Sequence, residues 1–399
     1  MKTTPSPWLT RNATDRSRPT PFTAFDIGEA VAAYDRLVAA FEERARVQYA
    51  VKARPDQALL TALTRRGSAL DVASPGEIQQ ALDAGCPPEG IACSNAFADA
   101  RELAFAREKG VTVFTADSTT MVERLATVCP GASVFVRLAH EHTTGAALPL
   151  TGRFGCQEGE AVRLALLAAR SGLHLAGMSW HVGSQQHDPT QWEPALARAA
   201  RIARRIRRHG ITLERLNLGG GFPGTYRTSA PPVEAYAHAI LSAVDRHFPR
   251  PHQPHLVLEP GRAVVADAGI TVTSVKAVVE RPCGTYVILD AGLWNAGLLD
   301  SLCGIEYRVT FPGHPEGVAT RPVTLCGPTC DSLDTFTTDS VYQAPLALAP
   351  GDRSVIWSTG AYCSTSALVG FNGYPPVPQH VHVPPDDVTG QPPDRNGAP

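Results

Sequence analysis

The sequence predicts an α/β chain: a (β/α)8 barrel of the TIM type, followed by a C-terminal all-β domain of barrel or sandwich type. Three observations carry this expectation. Eight times between Arg46 and Glu259 a short apolar run stops at a charged or glycine-rich turn. Between those runs lie segments with apolar residues at helical spacing. After Arg262 the helical segments cease and short strand-like runs take over. Strands alternating with helices of this length require a parallel sheet, and eight such units close it into a barrel.

Taken in order, residues 1–20 read as a flexible or loosely docked arm. Residues 21–28 read as a strand that joins the β domain. In Glu29–Arg46, Val31, Tyr34, Leu37, Val38 and Phe41 fall on one helical face. The barrel is expected over residues 29–265. Its helices are predicted at Asp56–Arg66, Pro75–Ala84, Asp99–Lys109, Ser118–Val128, Glu158–Ser171, Thr190–His209 and Val233–His247. The β domain is expected over residues 266–375, with strands at Ala268–Glu280, Thr285–Asp290, Tyr307–Phe311, Arg321–Leu325 and Ser354–Trp357. Residues 376–399 form a Pro-rich tail whose end is expected to be disordered.

Bulk properties narrow the function classes. The 399 residues suffice for two domains with substantial cores. Lys and Arg number 36 against 38 Asp and Glu, which argues against nucleic acid as a main partner and gives no membrane signal. The N-terminal segment lacks the apolar stretch of a secretory signal. Nine scattered cysteines, without a CxxC pair, fit a reduced, cytoplasmic protein and no zinc site. The pairs His140 and His142, and His252 and His255, lack surrounding carboxylates and read as solvated rather than metal-binding.

The strand ends carry the chemistry. In a barrel of this kind the active site lies where the strands end. The runs here end at Lys52, Asp71, Cys93, Thr115, Arg137, His181, Gly219 and Glu259. A lysine pointing into a barrel mouth, away from bulk solvent, has its ammonium disfavoured and is suited to form a Schiff base. Gly219-Gly-Gly-Phe-Pro-Gly224 and Glu259-Pro-Gly-Arg262 follow the seventh and eighth strands, where barrels often bind one phosphate. Glu259 beside a phosphate needs a cationic partner, and a protonated pyridine nitrogen would be one. His181 could stack on a ring, and Ser184 could bind phosphate. Each motif also has an ordinary reading: a lysine just past a strand, a tight glycine turn, a structural histidine.

Together the motifs resemble a known family. Lys52, Asp71-Val-Ala-Ser-Pro-Gly-Glu77, His181-Val-Gly-Ser184, Gly219-Gly-Gly-Phe-Pro-Gly224, Glu259-Pro-Gly-Arg262, Cys326-Gly-Pro-Thr-Cys330-Asp331 and Gly360-Ala-Tyr362 occur in order from about Thr20 to Tyr374. The series resembles the fold-type III pyridoxal-phosphate decarboxylases, the group of ornithine, diaminopimelate and arginine decarboxylases, and most of all their bacterial ornithine/lysine branch. The resemblance implies pyridoxal 5'-phosphate as cofactor, joined to Lys52 as a Schiff base. It places His181 on the ring, Glu259 at the pyridinium nitrogen, and Asp71 and Glu77 behind them. Arg137 would lie near the ring hydroxyl. Ser184, Gly220, Gly221, Gly261, Arg262 and Tyr362 would hold the phosphate. Cys330, as proton donor, and Asp331 would come from the other subunit of a homodimer with shared active sites. Arg153 and Asp334 would form an inter-subunit salt bridge, and the stretch from His140 to Thr151 would be a mobile loop.

Substrate identity is read from Leu293–Cys303, after the Asp290-Ala-Gly292 turn. It holds Asp300 and Trp294 but neither Arg nor Lys. An acidic distal pocket, with Asp300, Trp294 and Asp331 facing the substrate, fits a basic amino acid, L-ornithine first and L-lysine second. The Tyr-Asp-His of the eukaryotic ornithine enzymes is absent here, replaced by Cys303-Gly-Ile-Glu306. A diaminopimelate-type, carrier-linked or secondary-metabolite decarboxylase stays open as the alternative. A non-catalytic regulatory homologue would be expected to lose Lys52, Glu259 or Cys330, and all three are present.

Overall fold

The computed structural model describes residues 5–140, 144–150, 152–250, 253–336, 341–368 and 370–385. They fall into two compact units, one within Tyr34–Pro223 and Pro231–Gly261, the other within Met1–Ala33, Gly224–Ala230 and Arg262–Val388.

The first unit is the barrel. Its strands are Ala45–Ala50, Ala69–Val72, Ile91–Cys93, Val113–Ala116, Ser133–Arg137, His174–Ser179, Arg215–Asn217 and His255–Leu258, in that order around a closed parallel sheet. Closure comes from the last strand pairing with the first, with Leu256 opposite Ala45 and Leu258 opposite Val47. Phe135, Ala176 and Val257 pack together as one buried cluster.

Helix starts are written locally. Ser74 caps Pro75–Asp83 by accepting the Glu77 N–H at 3.3 Å, and Pro75 supplies a first-turn residue that needs no N–H partner. Asp99 and Glu102 form a reciprocal capping box at the head of Ala100–Glu108. The predicted Thr190–His209 helix divides into a short 3-10 turn, Pro189–Trp192, and the helix Glu193–Arg207, which carries a proline in its first turn.

The second unit is a mostly antiparallel sheet. Its long strand Gly269–Arg281 pairs with Gly284–Leu289 on one side and Arg353–Trp357 on another. Phe22–Asp26 joins this sheet, with Phe22 opposite Val272 and Phe25 opposite Gly269.

Four expectations change. The arm at 1–20 is not loose throughout: Pro7–Thr14 is a helix whose Leu9 and Ala13 pack on Phe22, Ala24, Ile270 and Val272. Only two core positions mark that helix, too few for a periodicity to be read. Residues 224–230 and 262–265 leave the barrel unit; Thr225 is tied there by Asp267, which accepts its N–H at 3.2 Å and its hydroxyl at 2.7 Å. In the expected tail, Gln379–His382 forms a strand parallel to Phe22–Asp26. Its composition is polar, so its strand character comes from the edge it pairs with. Tyr342–Pro345 is a further strand, ending in a proline as edge strands can.

Within the expected mobile loop, Ala146–Leu148 forms a two-stranded ribbon with Ser184–Gln186. Residues 141–143 and 151 lie outside the described residues, as does His252. His140 is buried rather than solvated.

Candidate active site

Lys52 follows the first strand, in the 3-10 turn Val51–Ala53. Its Nζ lies 3.2 Å from Asp71 Oδ2, at the end of the second strand. Lys52 is 50% exposed and Asp71 2%. The lysine is therefore not withdrawn from solvent as expected; what holds it is the buried carboxylate of Asp71 rather than an apolar wall. The other oxygen of Asp71, Oδ1, is buried and has no hydrogen-bond partner among the described residues. Glu77 stands behind, its carboxylate accepting the Ala73 N–H at 2.7 Å. Burial pushes the Glu77 carboxyl up.

Glu259 follows the eighth strand. Its Oε1 accepts from Asn217 Nδ2 at 2.5 Å and from Ser94 Oγ at 3.0 Å. Burial, then the neighbouring charge of Asp71, push this carboxyl up to about 7, against the opposing pull of Lys52. Asn217 also accepts the Gly219 N–H through Oδ1 at 3.0 Å. It thereby joins the glycine turn to Glu259. Sequence reading missed both Asn217 and Ser94. The available signal was position: Asn217 is the last residue of its strand and Ser94 the first after its own.

His181 follows the sixth strand. Its Nδ1 accepts the Gly183 N–H at 3.0 Å, so a neutral ring carries its proton on Nε2. Burial, then the charges of Arg137 and Lys52, push the imidazole well below its ordinary value. Arg137 holds its guanidinium 4.5 Å from the Phe154 ring, and burial lowers its pKa as well. Lys52, Asp71, Arg137, His181 and Glu259 line one cavity, together with Ser179.

The glycine triplet is packed against this cavity. A Cβ on Gly220 would come within 2.7 Å of the Glu259 carbonyl and 3.0 Å of His181 Nε2. Gly221 has φ +106°, and a Cβ there would meet the Gly183 carbonyl at 2.7 Å. Only glycine satisfies both positions. Ser184 begins the ribbon strand beyond Gly183.

In the second unit, Arg262 opens the turn Arg262–Val265, directly after Gly261 in the chain. Its Nη1 lies 2.7 Å from Asp300 Oδ2 and donates to the Tyr226 hydroxyl at 2.9 Å. Its guanidinium stands 4.9 Å from the Tyr362 ring. Tyr362 has φ +64°, a costly conformation for a tyrosine. Trp294 has a buried Nε1 with no partner among the described residues, and its ring meets Phe371 edge-on at 6.2 Å. Cys330 is exposed, its backbone N–H donating to Asn372 Oδ1 at 2.9 Å. Asp331 caps the turn after it by accepting the Leu333 N–H at 2.9 Å.

Asp334 is bonded within its own chain. Asp334 is 1% exposed and accepts from the Leu293 N–H at 2.7 Å and from the Thr329 N–H and hydroxyl at 3.1 and 2.7 Å. These bonds join the loop that holds Asp334 to the turn after Gly292. Arg153 lies 4.5 Å from the Phe154 ring.

The barrel residues fit pyridoxal phosphate. They offer a lysine amine for an aldehyde, a carboxylate for a ring nitrogen and an imidazole beside them. A glycine turn packs against the Glu259 backbone carbonyl and the His181 ring. Buried polar atoms without partners among the described residues, Asp71 Oδ1 and Ser179 Oγ, suit a polar ring.

Comparisons agree with this geometry. The family described as "Pyridoxal-dependent decarboxylase, pyridoxal binding domain" matches residues 27–266. A lysine/ornithine decarboxylase of Selenomonas ruminantium is 34% identical over 359 residues, covering 89% of this chain and 88% of the relative. A diaminopimelate decarboxylase of Zymomonas mobilis is 31% identical, covering 83% and 79%. A crystal structure of SrLDC in complex with PLP and cadaverine superposes with a TM-score of 0.82 at 31% identity, covering 94% of this chain and 93% of that one. Barrel, strand-end residues and relatives converge: the chain belongs to the fold-type III pyridoxal-phosphate-dependent decarboxylases, enzymes that remove carbon dioxide from amino acids.

Proposed function

We propose that this enzyme decarboxylates a basic amino acid, L-ornithine first and L-lysine second, to the amine and carbon dioxide. The observation that carries the reading is Glu259, a carboxyl held at about 7 by burial and by Asp71, with Asn217 and Ser94 bonded to one oxygen. Such a group shares a proton readily with a ring nitrogen of similar basicity. Pyridoxal phosphate, which Lys52 would hold at rest, would supply an acceptor for the electron pair left when the Cα–carboxylate bond breaks.

The chain's own residues do the rest. Asp71 keeps the Lys52 amine at the mouth of the barrel. Neutral His181 presents an uncharged ring face. Arg137 places a cation where a ring hydroxyl would ionise. Ser184, Gly220, Gly221, Gly261, Arg262 and Tyr362 receive the phosphate. Cys330, on an exposed loop tied down by Asn372, delivers a proton to Cα in the other subunit of a homodimer, with Asp331 beside it.

For the substrate, support comes from two sides. The Selenomonas relative is a lysine/ornithine decarboxylase, and SrLDC binds cadaverine. The segment Leu293–Cys303 holds no cation for a second carboxylate. The Zymomonas relative keeps diaminopimelate as the second reading. The test is carbon dioxide release from ornithine, lysine, arginine and diaminopimelate, with Lys52→Ala as control. Release from ornithine and lysine, lost in the variant, is expected. Release from diaminopimelate alone would overturn the assignment.

A further inference from the structure

Asp300 stands in the segment from which sequence reasoning expected a reader of the substrate's cationic tail, yet its carboxylate faces Arg262. The Nη1–Oδ2 distance is 2.7 Å, with the two side chains 3% and 16% exposed. The same Nη1 donates to Tyr226, itself buried and packed edge-on against buried Tyr307 at 5.6 Å. The Tyr362 ring lies against the guanidinium at 4.9 Å. The Asp300 contact is a close charge pair rather than an aligned hydrogen bond, since Oδ2 accepts none among the described residues, whereas Tyr226 takes a directed N–H. A guanidinium is a rigid planar fork, so the bond to Tyr226 and the Asp300 charge beside Nη1 together set the direction of its remaining N–H groups. Asp300 is itself held by a short helical turn, Leu299–Cys303, whose Asp300 carbonyl accepts the Ile305 N–H at 3.1 Å.

We infer that Asp300 is a positioning residue for Arg262 and not a reader of the substrate's distal ammonium. The inference rests on the reading of Arg262 as a phosphate ligand. It ties the segment after the Asp290-Ala-Gly292 turn to the phosphate end of the site. A carboxylate already matched to a guanidinium in a desolvated setting has little field left for a second cation. Choice between ornithine and lysine then falls to shape, with Trp294 the large side chain of that segment, and to acids elsewhere such as Asp331.

The experiment measures binding of pyridoxal phosphate and of pyridoxal, which lacks the phosphate, to cofactor-free protein by absorbance titration. Asp300→Asn is nearly isosteric and leaves the Arg262 charge unmatched. It is expected to weaken pyridoxal phosphate by about tenfold, the scale of one charge-assisted contact, and to leave pyridoxal unchanged. Asp300→Glu is expected to recover most of the affinity. The ratio of kcat/KM for lysine over ornithine at saturating cofactor is expected to stay within about twofold. Unchanged cofactor affinity in Asp300→Asn, beside weakened affinity in Arg262→Ala, would overturn the inference alone. So would a more than tenfold shift in the lysine/ornithine ratio, or equal weakening of both cofactor forms. Unchanged affinity in Arg262→Ala would overturn the reading of Arg262 itself. If Asp300→Asn does not fold, Asp300→Glu decides: retained discrimination between pyridoxal phosphate and pyridoxal supports the inference, and its loss removes it.

Discussion

Asn217 bridges two strand ends, donating from Nδ2 to Glu259 at 2.5 Å while its Oδ1 accepts the Gly219 N–H at 3.0 Å. One side chain thus joins the glycine turn to the Glu259 carboxyl. Burial and the neighbouring Asp71 raise the Glu259 carboxyl, and the Asn217 bond opposes them.

The Glu259 carboxyl titrates near 4.5 when unperturbed and about 7 in the fold. Between those values the folded chain holds a proton that the unfolded chain has released. The corresponding stability is present in full below about 4.5 and is lost as pH rises through about 7. Cofactor-free protein is expected to lose on the order of 1–3 kcal/mol of stability across that interval. Urea unfolding at a series of pH values measures it. Glu259→Gln is expected to flatten the profile, and an unaltered slope in that variant would assign the effect to other groups.

Gly221→Ala is expected to abolish cofactor binding and to destabilise the fold by about 1–3 kcal/mol, because a side chain at φ +106° is strained and meets the Gly183 carbonyl. Thermal unfolding and cofactor absorbance report the two effects separately. Normal cofactor uptake would mean that the turn relaxes without harm to the site.

Cys330→Ala is expected to keep the cofactor and lower clean amine formation, since the role proposed for the thiol is to protonate Cα. Product analysis after single turnover tests this. Mixing Lys52→Ala with Cys330→Ala protein is expected to restore activity through dimers carrying one intact site. An absence of rescue after verified subunit exchange would favour sites complete within one chain.

Leu9→Ala in the N-terminal helix is expected to cost about 2–4 kcal/mol, the range for a buried leucine, because Leu9 packs fully buried on Phe22 and Val272. Calorimetry would show a lowered transition. Wild-type stability would place the helix outside the cooperative unit.

The barrel was legible because its signal is local and repeated. A run of apolar residues, a turn and a helical period mark each unit, and the strand-end position of Lys52, Asp71, His181 and Glu259 follows from that pattern. Local chemistry likewise marked the helix starts at Ser74 and Asp99. Tertiary structure alone decided where charges find their partners. Asp300 read as a substrate acid and pairs with Arg262, 38 positions earlier by residue number; Asp334, read as an interface acid, also accepts from Leu293, 41 positions away. The half-exposed state of Lys52, the Asn217 bridge and the polar strand Gln379–His382 also depend on partners distant in sequence. Backbone periodicity is set by neighbours along the chain, whereas electrostatic pairing and edge-strand formation depend on which distant groups folding brings within a few ångströms.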